Sequence, residues 1–194
     1  VGFGLIPTGT VGATPATAGQ GKYFIDAAYD KDLFQGTVVQ SKVGYIKAAE
    51  ATRTLLTIGI LNGIFYNAAT TLKPTFDNKY IQPITPANSE DITAFVIDNP
   101  MQLFVGCLNG AAAQADYGRT VSMTAADPSG SSTSGQSNKK LDDANIHDTN
   151  NQFRLLRSAE DPENDENAVN RSVVVCQNLN QYMQNTGTAG ITWQ

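Results

Sequence analysis

Residues 92–107 read ITAFVIDNPMQLFVGC, two apolar runs hinged on Asp98-Asn99-Pro100. Both runs are short and built largely from Ile, Val, Phe, Thr and Leu, residue types that suit a pleated, half-buried surface. Asn and Asp tolerate the left-handed region and Pro fixes φ, so the hinge predicts a turn or corner between two strands, Ile92–Ile97 and Met101–Leu108. The same grammar runs outward in both directions. Upstream it predicts strands at Lys22–Ile25, Leu33–Gln40, Gly44–Ala48, Thr54–Tyr66 and Tyr80–Ile84, and downstream at Arg119–Thr124, Phe153–Ser158 and Val169–Asn178. Gly59 and Gly63 interrupt the longest run, which predicts a bulge or tight bend in a curved sheet. Short strands about 8–12 residues apart, with no long helix between them, predict a mainly β body, a β-barrel or a β-sandwich. Lys47–Thr52 (KAAEAT) and Gly110–Asp116 (GAAAQAD) contain good helix formers but have length only for short helical turns.

Val1–Gly21 is rich in Gly, Thr, Pro and Ala, too heavily punctuated for a helix or a central strand. Phe3, Leu5 and Ile6 give it apolar side chains to bury, so an extended N-terminal arm laid on a partner is expected. The chain thus divides into an arm at 1–21, a β-rich body at 22–182 and a tail at 183–194. The tail carries the only tryptophan, Trp193, either an anchor in a partner's pocket or part of a disordered end. Asp127–Gln136 (DPSGSSTSGQ) is loop chemistry, an excursion from the sheet or a flexible tip.

Composition narrows the function. The formal net charge is -5 and the only adjacent basic pair is Lys139-Lys140, whereas nucleic-acid binding needs clustered Lys and Arg. Charged residues make up 16% against a norm of about 25%, which suits a surface covered by neighbours. Cys107 and Cys176 each sit in an apolar run, LFVGC and SVVVC, and are expected as buried free thiols of a protein folded in a reducing cytoplasm. No stretch approaches the ~20 apolar residues of a membrane span, and the start lacks the basic and apolar regions of a signal peptide.

Chemistry is sparse. The single histidine, His147, lies in LDDANIHDTNN beside Asp142, Asp143 and Asp148. An Asp can orient a histidine or share a metal with it, but in so polar a stretch a solvated loop histidine is expected. One histidine and no CxxC pair exclude the usual zinc sites. The acidic segment from Asp161 to Asn167 (DPENDEN) resembles the start of a calcium loop but lacks its sixth-position glycine and twelfth-position glutamate, so an acidic turn is expected. The aromatic residues are spread among the strands, which favours core or interface roles over a base- or sugar-stacking platform. No catalytic residue, cofactor or metal is expected, and no enzyme.

Five segments carry a resemblance: Asp32–Val39 (DLFQGTVV), Ile58–Tyr66 (IGILNGIFY), the paired runs of Ile92–Ala111, the turn AAQADYG leading into RTVSM, and a strand, acidic turn and terminal strand over Phe153–Tyr182. In this order they resemble the small capsid-associated structural proteins of tailed bacteriophages, of the cement or decoration type, over roughly Asp32–Tyr182. The resemblance implies a non-enzymatic virion protein on the capsid surface, made in the host cytoplasm. It further implies a β-barrel-like body that binds and stabilises the shell, with the major capsid protein as partner and a homo-oligomer, a trimer, around local three-fold positions. Partner contacts are expected at Phe3, Leu5, Ile6 and Trp193. The competing expectation is a tail- or fibre-type host-recognition or carbohydrate-binding β module, which an exposed cluster of aromatic rings would mark.

Overall fold

A computed structural model describes residues 2–12, 19–49, 52–161, 164–165 and 168–183. Up to the Asp98 corner these supply β1 (Leu5–Thr10), β2 (Gly21–Ile25), β3 (Leu33–Phe34), β4 (Val38–Lys42), β5 (Tyr45–Ala48), β6 (Gly59–Asn67), β7 (Pro74–Asp77), β8 (Lys79–Tyr80) and β9 (Ile92–Ile97). Beyond the corner come β10 (Gln102–Cys107), β11 (Thr120–Met123), β12 (Leu141–His147), β13 (Phe153–Ser158) and β14 (Ser172–Gln177). The corner itself is an Asx-type turn: the Asn99 side chain accepts the Met101 N–H at 2.9 Å, and its carbonyl accepts the Gln102 N–H at 3.0 Å.

At that corner the chain changes sheet. One sheet runs β2-β9-β6-β4-β5 with β7 paired to β6, the other β1-β10-β14-β13-β11-β12, and β3 and β8 form a small ribbon. The protein is mainly β, with its antiparallel sheets packed as a sandwich. The first sheet curls until β2 lies against β5, but no ladder joins them and the barrel stays open.

Because successive strand residues point to opposite faces, neighbours feed two cores. Val39, Leu61, Ile64, Ala94 and Val96 fill the inside of the curl, with Tyr29 and Tyr80. The Tyr80 hydroxyl donates to the Tyr29 carbonyl at 2.8 Å, which satisfies a buried polar group. Val38, Ile60 and Ile97 face the other way, against Leu5, Phe104, Val121, Phe153 and Val175 of the second sheet. The two sheets are also tied by Gln152, whose side-chain amide donates to the Ala49 and Thr52 carbonyls at 2.6 and 3.2 Å.

Several expectations need correction. Residues 5–10 are not a free arm: they form an edge strand, β1, paired with β10. The heavy Gly and Pro content that excluded a central strand is compatible with an edge. KAAEAT does not start a helix, because Tyr45–Ala48 closes a hairpin on β4 through the two-residue turn Val43-Gly44. Gly110–Asp116 does keep to the short helical turn expected of it, a single 3-10 turn at Gln114–Asp116. Leu33–Gln40 is split in two at Gly36, whose φ of 90° breaks the run. β7 and β12 have no counterpart among the expected strands. The bulge in the longest run is present, as a register shift between Leu61 and Gly63. Residues 184–194 lie outside the described residues.

The Val43-Gly44 turn holds both residues at positive φ, 55° and 82°, the geometry of a type I′ hairpin. Glycine adopts it freely, but a β-branched residue there is strained by roughly 1 kcal/mol or more. Val43 is exposed, so the substitution Val43→Asn changes little else. Val43→Asn is expected to stabilise the protein by about 0.5–1 kcal/mol, read as a higher denaturation midpoint at constant m; an unchanged or lower midpoint would refute the strain.

Candidate interaction surfaces

Two uncovered faces stand out, one on each sheet. On the second sheet, strand register sets Ile6, Val105, Val174 and Arg157 in one row across β1, β10, β14 and β13. Cross-strand partners share a face, so the row continues one apolar surface toward a charged end. Phe3 and Ile6 line a groove of about 650 Å³ above Val105 and Val174, with Arg157 and Glu160 paired at 2.7 Å on its rim. Ile6 is 45% exposed, a large aliphatic side chain left to solvent.

The expected contact residues separate accordingly. Phe3 and Ile6 are brought together in the groove. Leu5, one residue along the strand, faces the opposite way and is 2% exposed, so it is a core residue and not a partner contact. Its place depends on Gly106 opposite it, where a Cβ would meet the Leu5 Cδ2 atom at 2.7 Å. Trp193 lies outside the described residues.

On the curled sheet, the register sets Phe24, Thr93, Phe65 and Phe76 in a row across β2, β9, β6 and β7, with Lys22, Phe95 and Gly63 in the next. The second sheet covers only the end of this face around Val38, Ile60 and Ile97. Phe76 is 72% exposed and Phe24 42%, while Phe65 and Phe95 are half-buried. The Phe65 and Phe76 rings are 4.7 Å apart, and the Phe76 and Phe95 rings 6.5 Å apart and within 16° of parallel. Lys22 Nζ sits 5.6 Å over the Phe24 ring. The expectation of scattered aromatics is therefore overturned. These four phenylalanines are dispersed in sequence, and only strand register gathers them.

The polar candidates are engaged elsewhere. His147 ends β12 and is exposed. Its neighbour Asp148 turns to Arg119, with Oδ1 3.1 Å from Nε, and that guanidinium holds the Asp148 carboxyl below the usual carboxylate range. Asp142 accepts from the Asn145 and Asn109 amides. In the acidic turn, residues 162, 163, 166 and 167 lie outside the described residues, and Asn164 braces it by donating to Ser172 O at 2.9 Å and accepting the Ser172 N–H at 2.9 Å. Among the described residues no group of three or more His, Cys, Asp and Glu side chains comes together.

Both cysteines are free, and burial pushes both thiols up from their ordinary range. Cys107 stands opposite Ser172 and Cys176 opposite Leu103, four ladder positions apart. At ~3.4 Å per residue that separation is about 14 Å, twice what a disulfide spans.

Comparison with family models, with curated proteins and with solved structures returns no match.

Proposed function

We propose that the protein is a non-enzymatic structural component of a tailed-phage virion that binds and stabilises the outer capsid shell, with the major capsid protein as its partner. The resemblance of the turn and strand order supports the reading. The observation that carries it is the groove built on the Ile6-Val105-Val174 row. An apolar floor with a charged rim is the make-up of a protein contact, where a desolvated centre supplies affinity and the rim excludes water. The floor lies on a strand ladder, so little ordering cost opposes binding. Repetition over a symmetric shell, as a trimer around local three-fold positions, multiplies weak single contacts into stable attachment.

The test is reconstitution. Heads lacking the protein are mixed with the purified full chain, and occupancy and thermal disruption are measured. Binding at a fixed number of copies per head with a raised disruption temperature is expected. No binding, together with unchanged head stability, sinks the reading.

A further inference from the structure

Shell attachment through the groove at Ile6 leaves the four phenylalanines of the curled sheet without a task, since they lie on the other sheet. We infer that the Phe76–Phe95 end of this face, away from Phe24, is a saccharide-binding site, with a sugar ring seated in the open trough that these two rings line beside Gly63. Apolar rings alone fit many occupants, and three features narrow the choice.

The first is shape. The near-parallel Phe76 and Phe95 rings flank Gly63, which has no side chain, and together line one side of an open trough of about 320 Å³. That is the low end of small-ligand sites, enough for one or two sugar rings but little of a protein chain. The C–H face of a pyranose packs on aromatic faces in the way other flat or amphipathic rings do.

The second is the rim, where Asn62, Asn78 and Asp77 meet the trough. Asn62 Oδ1 accepts from Gln35 Nε2 at 2.8 Å, and Asn78 Nδ2 donates to the Ser134 carbonyl at 2.8 Å. These bonds fix both amide planes before a ligand arrives. A side-chain amide offers two donors and an acceptor oxygen, a match for hydroxyls that both donate and accept.

The third is the edge. A protein partner recognises an exposed sheet edge most readily by adding a strand. Here β7 begins with Pro74, which has no N–H to donate, so the edge beside the trough is poor for strand addition.

The experiment is saturation-transfer NMR on the full chain with the methyl glycosides of glucose, galactose, mannose and N-acetylglucosamine. Saturable transfer to the ring C–H protons of at least one glycoside is expected, with an affinity near ~1 mM, as for single sugar contacts of about 4 kcal/mol. Phe76→Ala is expected to weaken it at least tenfold. Phe76 is so exposed that the fold survives its truncation. Phe24→Ala, on the same face but two strands beyond β6, and Ile6→Asp, in the groove, are expected to leave it unchanged. No saturable transfer from any of the four glycosides overturns the inference, as does transfer that persists in Phe76→Ala. Loss of head binding in Phe76→Ala, with no glycoside effect, would make the face a protein contact and equally overturn it.

Discussion

Ile6→Asp is expected to abolish attachment to the capsid shell while leaving the protein folded. The side chain lies on the outer surface of β1, 45% exposed, so a carboxylate there remains solvated in the free protein. A surface change of this kind moves stability by no more than about 0.5 kcal/mol. In the complex the same carboxylate would sit over Phe3, Val105 and Val174 with no cation in the row nearer than Arg157, itself paired with Glu160. Burying an unpaired charge adds to the loss of an apolar anchor, for which about 2 kcal/mol or more is typical, so single-site affinity should fall at least ~30-fold. Multivalency on the shell magnifies that into loss of occupancy, measurable by counting copies on sedimented heads. Normal occupancy with an intact denaturation midpoint would show that the groove is not the contact.

Phe104→Ala is expected to have the largest effect on stability. Phe104 is fully buried in β10, between Pro7 on β1 and Val175 on β14, in the core where the two sheets meet. Its strand is flanked on both sides by ladders, so the backbone has little freedom to collapse into the vacated space. Truncations of this kind cost about 3–5 kcal/mol. Against a total stability of roughly 5–15 kcal/mol, that should move the guanidinium midpoint far to lower denaturant. Phe76→Ala, which removes the same ring from a solvent-facing position, should lower stability by less than ~0.5 kcal/mol. Similar losses for the two would contradict the assignment of inner and outer faces.

Much of the fold was legible because apolar runs and turn chemistry agree. Ile92–Ile97 and Phe153–Ser158 are strands over the expected residues, and the Asp98 corner turns where Asn99 can cap it. What was not legible depends on partners distant in the chain. LDDANIH is polar to the eye, yet Asp142 and Asn145 are buried in β12 because Asn109, Arg53 and each other's side chains satisfy them. PTFD becomes a strand only because β6 lies beside it. Leu5 and Ile6 look alike in sequence, and strand alternation alone sends one to the core and the other to solvent. The aromatic face was invisible for the same reason, since the register that aligns Phe24, Phe65 and Phe76 is written in the ladders and not in any local spacing. Two-residue Val43-Gly44 was the one unread local signal: a hairpin turn that cancels the helix propensity of the alanines after it.

The placement of β1 governs the order in which the molecule is made. Leu5 sits opposite Gly106, so the ladder joins segments 101 residues apart. At synthesis rates of about 5–20 residues per second, β1 waits roughly 5–20 s for its partner to emerge from the ribosome. The curled sheet, whose strands all precede the Asp98 corner, is complete before any of β10–β14 exists. Closing a loop of that size carries a large entropic cost ahead of any contact, which slows folding toward the millisecond-to-second range. The second sheet therefore matures last, and the strand that bears Ile6 becomes a finished surface only when the whole chain is in place.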